Sequence, residues 1–391
     1  MPGPKSQPID LLRQLVSFDT TSHKSNLTIV DFIEDYLLQH GVLATRITTP
    51  EGDKASVFAT IGPNDAGGIA LSAHTDVVPV DGQTWDSDPF TLRIDGDKLY
   101  GRGTSDMKGF IACALAAVPD LKRRHLATPV HLAFSYDEEI GCIGVRPMIA
   151  QFGALLPKPR LVIVGEPTSM RVVDAHKGPV RWQVEITGRA AHSSMAPLGV
   201  NAISYAARII AELERLEAEL KISTRNDRFD PPYASLQVTR IEGGTASNII
   251  PLSCRFGFEI RATPGLDIDS IERRVKAFVD TECIPDMRRV APEADITVVR
   301  ANSVPPFGAD RDSEIVTLAL KLAGQNDTAA VSYATEAGLF QDAGSPSIVC
   351  GPGDIAQAHT ANEWIAASEI AACMAFMKRL ADWAEKPTAA D

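Results

Sequence analysis

The sequence Gly68-Ile-Ala-Leu-Ser-Ala-His-Thr-Asp76 predicts the fold of this chain. Its apolar run has the length of a buried strand and ends in His74, with Asp76 two residues later on the same side of an extended backbone. On both sides of this stretch, short apolar runs alternate with segments of helical spacing. The other apolar runs are 56–61, 130–135, 161–164 and 347–350. This alternation predicts an α/β domain with a mixed, mostly parallel sheet flanked by helices.

A different pattern occupies residues 179–304. The predicted elements there are a strand (181–187), a helix (201–220), two strands (234–241 and 254–262), a helix (268–281) and a strand (295–300). The order β-α-β-β-α-β is that of a ferredoxin-like α+β unit. We therefore expect an inserted domain over 179–304, within an outer domain formed by 1–178 and 305–391.

The composition excludes several classes of protein. A chain of 391 residues with 45% hydrophobic and 23% charged residues is typical of a globular protein of two or three domains. Its formal charge of −12 argues against nucleic acid and anionic membranes as partners. Residues 1–8 lack the apolar core of a signal peptide, and no apolar run is long enough for a membrane span. The six scattered cysteines suit a reducing compartment, so we expect a cytoplasmic protein.

Five polar motifs follow predicted strands or turns, where open α/β sheets place their sites. Their candidate residues are His74 with Asp76, Asp106 in the glycine-rich turn 101–109, Glu138 with Glu139, Glu166, and His359. Singly, each motif has an ordinary interpretation, such as a surface pair or a satisfied core histidine, a helix N-cap or an exposed acidic loop. Together the two imidazoles and the three carboxylates of Asp106, Glu139 and Glu166 suit two zinc or cobalt ions. Two such ions activate water and polarise a carbonyl, which predicts metal-dependent hydrolysis.

The order of these motifs along nearly the whole chain resembles that of a two-zinc metallopeptidase and amidohydrolase family. Its members include acetylornithine deacetylase, succinyl-diaminopimelate desuccinylase, aminoacylases and a glutamate-releasing carboxypeptidase. The resemblance implies two ligand sets bridged by Asp106: His74, Asp106 and Glu166 for one zinc ion, and Asp106, Glu139 and His359 for the other. It also implies that Glu138 is the general base and that Asp76 orients His74. Cobalt is expected to be able to replace zinc.

The inserted domain resembles the lid and dimerisation domain of that family, which implies a homodimer. Within it, Ala191-His192-Ser193-Ser194 matches a motif whose histidine stabilises the oxyanion in the active site of the other subunit. Asn248, in the segment 243–251, and Arg261 match residues that contact the substrate. From the residues alone, a helix N-cap, a β-turn and a surface salt bridge would explain these three segments.

The segments 334–341 and 350–359 are most similar to the acetylornithine deacetylase branch of the family. This similarity implies hydrolysis of N2-acetyl-L-ornithine to ornithine and acetate, in arginine biosynthesis. Glu336 would then pair with the cationic substrate side chain, and the alternative is a solvated loop carboxylate. Other substrates are open, namely N-acetylcitrulline, succinyl-diaminopimelate or the peptide of a related metallo-carboxypeptidase. A non-catalytic binding protein with the same fold is the alternative from a different class.

Overall fold

The computed structural model describes residues 7–63 and 67–386, so most of the N-terminal segment that argued against a signal peptide lies outside the described residues. The chain forms two compact units. The first unit comprises Met1–Ala175, Gly308–Ala329 and Thr335–Asp391, and the second comprises His176–Phe307 and Ala330–Ala334. The segment predicted as an inserted domain, 179–304, falls within the second unit. The short stretch Ala330–Ala334 also belongs there, which the sequence did not predict.

Strands and helices alternate along much of the chain. The strands are β1 (Ala44–Thr48), β2 (Ala55–Ile61), β3 (Ile69–His74), β4 (Arg93–Asp95), β5 (Lys98–Tyr100), β6 (Val130–Ser135), β7 (Leu161–Pro167), β8 (Val173–His176), β9 (Gly178–Thr187), β10 (Ser235–Gly243), β11 (Ser253–Ala262), β12 (Asp295–Ser303), β13 (Phe307–Gly308), β14 (Ala329–Val331), β15 (Ser347–Gly351) and β16 (Trp364–Ala366). The α-helices are α1 (Gln7–Val16), α2 (Leu27–Gln39), α3 (Gly109–Arg123), α4 (Val145–Ile149), α5 (Ala202–Ser223), α6 (Ile268–Phe278), α7 (Ile284–Val290), α8 (Glu314–Ala323), α9 (Ala337–Asp342) and α10 (Ala367–Ala384). Three shorter helical turns span Thr104–Lys108, Ser193–Leu198 and Val279–Cys283.

The largest sheet has nine strands and is mixed. Its order is β1-β2-β6-β3-β7-β15-β8-β13, with β14 beside β8. The central neighbours β6, β3, β7 and β15 are parallel, whereas β1 and β2 pair antiparallel at one end. Every residue of these four central strands is buried, which is why each is rich in apolar residues in the sequence. The predicted fold class is confirmed.

Helices bury one side each against this sheet and against one another. The core of the first unit joins the apolar faces of α1, α2, α3, α8 and α10 to the central strands. Helix α3 begins directly after the turn that carries Asp106, and it is buried over almost its whole length. Within residues 7–63 and 67–386, no helix is long and apolar enough to cross a membrane.

The second unit is built on a four-stranded antiparallel sheet. Its strand order is β10-β11-β9-β12, and the chain order β9-α5-β10-β11-α6-β12 is that of the ferredoxin-like unit. Strand β9 alternates buried and exposed residues along its length, as expected of a sheet with one face covered. Helices α5 and α6 supply that cover through buried residues such as Leu213 and Ile271.

Candidate metal centre

Parallel pairing brings the polar ends of three strands together in the first unit. Strand β3 lies between β6 and β7, and both pairings are parallel. His74 ends β3, Glu166 lies near the end of β7, and Glu138 and Glu139 follow β6 by three and four residues. Because the carboxyl ends of parallel strands meet at one edge of the sheet, these side chains converge there.

Asp106 lies between two imidazoles. Its Oδ1 is 3.1 Å from Nε2 of His74, and its Oδ2 is 3.2 Å from Nε2 of His359. One carboxylate oxygen therefore faces each histidine, which is the arrangement that a carboxylate shared by two metal ions requires. The sequence around it, with Gly103 in the left-handed region at φ 83°, allows the turn that places Asp106 just before α3.

The remaining carboxylates surround the same two histidines. Nε2 of His359 lies 3.0 Å from Oε2 of Glu139, and Nε2 of His74 lies 3.7 Å from Oε1 of Glu166. Two ligand atoms bound tetrahedrally to one zinc ion stand about 3.4 Å apart, because metal–ligand distances are near 2.1 Å. The spacing and the chemistry of the donors therefore fit divalent transition-metal ions.

The structure allows several groupings of the donors. Candidate ligand atoms of His74, Asp106 and Glu139 lie within 4.8 Å of one another, and so do those of His74, Glu138 and Glu166, although the predicted sets leave Glu138 out. The predicted grouping of Asp106 and Glu139 with His359 is also compatible with the distances, since Nε2 of His359 lies 3.2 Å from Asp106 and 3.0 Å from Glu139. All six residues are at one centre, but how the ligands divide between two ions stays a prediction.

Asp76 holds both His74 and the acidic loop after β6. Its Oδ1 is 3.4 Å from Nδ1 of His74 and accepts a hydrogen bond of 3.0 Å from the N–H of Glu138. Its Oδ2 accepts hydrogen bonds from the N–H of Glu139 and from Ser22 Oγ, at 3.3 and 2.7 Å. An imidazole whose Nδ1 faces such partners presents Nε2 to a metal ion. The predicted role of Asp76 thus has a geometric basis, and the surface pair considered as its alternative is excluded because His74 and Asp76 are 1% and 2% exposed.

The crowded carboxylates at this centre repel one another. Burial, together with the charge of the neighbouring Glu139, raises the pKa of Glu138 to about 8, although His74 lowers it. Burial and the charge of Asp106 raise the pKa of Glu139 to about 7. Hydrogen bonds to Asp106 and Glu139 raise the pKa of His359 to about 10. A divalent cation would oppose these pKa shifts. Its positive charge would stabilise the charged carboxylates, and it would take the place of a proton on each histidine.

Glu138 has a sulfur neighbour that the sequence did not predict. Sγ of Cys142 lies 3.2 Å from Oε1 of Glu138 and is within range to donate a weak hydrogen bond. All six cysteines are buried and free, as expected for small apolar side chains. Asp137, the residue before Glu138, is occupied by an ion pair with Lys54 at 2.6 Å, so the acidic loop is not simply exposed to solvent.

Glu336 differs from one of the two descriptions that the sequence suggested. It is 1% exposed, so the interpretation as a solvated loop carboxylate is wrong. Its Oε2 accepts a hydrogen bond of 3.0 Å from Ser72, and its Oε1 accepts one from Ser135. These serines belong to β3 and β6, so Glu336 links the strand that ends in His74 to the strand that precedes Glu138. Its pairing with a cationic substrate stays a prediction.

The other predicted residues lie in the second unit. His192 is exposed at the start of the turn Ser193–Leu198, and its Nδ1 is 2.7 Å from Ser194 Oγ. Asn248 is exposed, and its backbone carbonyl accepts a hydrogen bond from Ser193 N–H. Arg261, on β11, forms an ion pair of 2.5 Å with Glu259. These contacts match the ordinary interpretations of the segments, and their roles in catalysis and substrate binding stay predictions.

Comparison with known proteins gives a family and several relatives. Residues 70–383 match the profile of peptidase family M20/M25/M40. An acetylornithine deacetylase from Myxococcus xanthus is 34% identical over 373 residues, 94% of this chain and 95% of the relative. An acetylornithine deacetylase from Buchnera aphidicola (strain APS) is 31% identical over 363 residues, 91% of this chain and 92% of the relative.

Solved structures share the fold over nearly the whole chain. An aminopeptidase from Bacillus cereus has a TM-score of 0.75 at 19% identity, covering 98% of this chain and 100% of its own. An M20 metallo-carboxypeptidase from Sulfolobus solfataricus has a TM-score of 0.76 at 19% identity, covering 97% and 99%. A dinuclear metal-binding M20 peptidase from Bacillus subtilis has a TM-score of 0.68 at 16% identity, covering 97% of each chain.

Proposed function

The chain belongs to peptidase family M20/M25/M40, and from this premise we propose that it hydrolyses N2-acetyl-L-ornithine to L-ornithine and acetate. Membership makes it a metal-dependent hydrolase of amide or peptide bonds. The observation that carries the narrower proposal is the similarity to acetylornithine deacetylases at 31 to 34% identity over nine-tenths of the chain. Release of ornithine would serve arginine biosynthesis.

The mechanism that we infer makes Glu138 the carrier of the proton. Bound metal ions supply polarisation of the acetyl carbonyl and a lowered pKa for the attacking water. Glu138 accepts a proton from that water and gives it to the α-nitrogen of ornithine as the C–N bond breaks. Two contacts position Glu138. The Asp76 carboxylate accepts a hydrogen bond from the backbone N–H of Glu138, and Sγ of Cys142 contacts Oε1 of Glu138. His192 would donate a hydrogen bond to the carbonyl oxygen as that oxygen becomes negative.

The metal ions in this proposal are two zinc ions for each chain. Imidazole and carboxylate donors bind zinc well, and cobalt(II) accepts the same donors. The related fold of a dinuclear metal-binding peptidase from Bacillus subtilis supports two ions instead of one. We also propose that the enzyme is cytoplasmic, since the six buried thiols remain free.

The substrate is tested by comparing hydrolysis rates of the zinc-loaded protein. We expect kcat/KM for N-acetylornithine to exceed that for N-acetylcitrulline, because citrulline replaces the cationic amine with a neutral ureido group. N-acetylmethionine, succinyl-diaminopimelate and a dipeptide ending in glutamate complete the panel. Higher kcat/KM for any of these four would keep the metal-dependent hydrolase and reject acetylornithine as the substrate.

We further propose that the second unit forms a homodimer and that His192 serves the other subunit. Apolar side chains near His192 are exposed, among them Met195 at 52%, Leu198 at 54% and Ile249 at 41%. Exposed apolar side chains grouped in this way are typical of an interface. Sedimentation should give twice the chain mass of 42.0 kDa. Mixing inactive His192→Ala and Glu138→Gln proteins should restore activity, and a strictly monomeric protein would contradict both proposals.

A further inference from the structure

A buried ion pair lies next to the centre without contributing a ligand in either predicted set. Glu363 and Arg102 are each 1% exposed, and Oε2 of Glu363 is 2.8 Å from Nη1 of Arg102. A buried ion pair is stable when most of its remaining hydrogen-bonding positions are filled. Among the described residues, Nε of Arg102 has no hydrogen-bond partner, but the other positions of the pair have partners. Those partners indicate what the pair holds in place.

Glu363 accepts hydrogen bonds from three backbone N–H groups of the turn that carries Asp106. Gly103 N–H donates to Oε2 at 2.9 Å, and Ser105 and Asp106 N–H donate to Oε1 at 2.8 and 3.1 Å. The backbone of Asp106 is not helical, with φ −122° and ψ 94°, so no helical hydrogen bond fixes it. The Glu363 carboxylate replaces that support and sets the direction from which the Asp106 carboxylate enters the centre.

Arg102 extends the same contact to His359. Its Nη2 donates a hydrogen bond of 2.7 Å to Oε1 of Gln83, and Nε2 of Gln83 donates one of 2.9 Å to the backbone carbonyl of His359. His359 has φ 61°, in the left-handed region that residues other than glycine seldom occupy. Such a conformation persists only when its surroundings hold it, and Gln83 is part of those surroundings.

We propose that Glu363, Arg102 and Gln83 form a positioning unit for Asp106 and His359, and so set the affinity for metal. The inference rests on the proposed two-metal centre. The two ends of the unit predict different effects, because Glu363 holds Asp106, which faces both His74 and His359, whereas Gln83 contacts His359. The position that uses His74 and Glu166 should therefore respond to the loss of Glu363 and be spared by the loss of Gln83. These three residues are positioning residues and need not touch the substrate.

The test is a calorimetric titration of the metal-free full chain with Zn²⁺, and in parallel with Co²⁺. Glu363→Gln keeps the shape of the side chain but removes its charge, and Gln83→Ala removes only the contact to His359. We expect Glu363→Gln to weaken both binding events by about 10- to 100-fold. Gln83→Ala should weaken one event by a smaller factor and leave the other unchanged. Excess metal should restore the kcat of both variants.

The matched control is Glu314→Gln, which removes one half of an exposed ion pair with Arg160 and should bind metal like the unchanged protein. If Glu363→Gln does not fold, the metal titration of Gln83→Ala tests the positioning role by itself. Equal affinities in Gln83→Ala and the unchanged protein, or an equal loss at both positions in Gln83→Ala, would overturn the positioning role. If the unchanged protein binds no metal, the proposed function itself fails, which the first titration shows before any variant is compared.

Discussion

Replacing Glu138 by glutamine is expected to lower kcat by about 10³- to 10⁴-fold, because general acid and base catalysis contributes rate factors up to that size. Glutamine keeps the length of the side chain and its contact distance to Cys142, but it cannot accept a proton from water. The N–H of residue 138 would still donate to Asp76, so the backbone of the loop should keep its position. Initial rates at saturating substrate measure kcat, and metal analysis of the same sample measures occupancy.

The metal content of this variant separates two roles for Glu138. As the general base, it can be replaced without loss of either ion. Its grouping with His74 and Glu166 within 4.8 Å also allows it to be a ligand. Loss of one metal equivalent in Glu138→Gln would favour the ligand role, and near-normal kcat with both ions bound would exclude the general base. Glu314→Gln, at an exposed ion pair, is the control for the change of charge.

The central fold could be predicted because its strands are buried on both faces. Strands β3, β6, β7 and β15 appear in the sequence as short apolar runs, and β9 as an alternating one. The strands β8, β13 and β16 could not be predicted, because two to four residues are too few to show a periodicity. Pairing across the sheet, and not local sequence, makes these segments strands.

In the candidate site, too, some residues could be predicted from the local sequence and others could not. Ligand-type residues at strand ends could be identified, since parallel pairing alone brings such ends together. The role of Glu363 could not be predicted. Glu363 lies 257 residues from Asp106 and contacts the backbone of Asp106 instead of its side chain. The polar residues around Glu336 resembled a loop, but the structure buries this side chain beneath β3 and β6 through Ser72 and Ser135. The burial of Glu336 follows from the pairing of strands in the folded sheet and not from its local sequence.

Replacing Asp106 by asparagine is expected to have the second large effect, the loss of both metal ions at stoichiometric concentrations. Asp106 faces His74 with one oxygen and His359 with the other, so we expect it to be a ligand of both proposed metal ions. Burial alone would raise the pKa of Asp106, but hydrogen bonds to the two histidines lower it, so the carboxylate is charged near neutral pH. An amide has no charge to offer either ion. We expect kcat/KM to fall by at least about 10³-fold, since the metal ions supply the charge stabilisation of the reaction.

The comparison with Glu166→Gln shows whether Asp106 is shared. Among the described residues, Glu166 forms an ion pair with a single histidine, His74, at 3.7 Å. Its removal should therefore weaken one binding event and spare the other, whereas Asp106→Asn should weaken both in the same titration. If Asp106→Asn loses a single equivalent and retains the second at unchanged affinity, Asp106 belongs to one ion, and its place between the two histidines is a hydrogen-bonding arrangement and not a bridge.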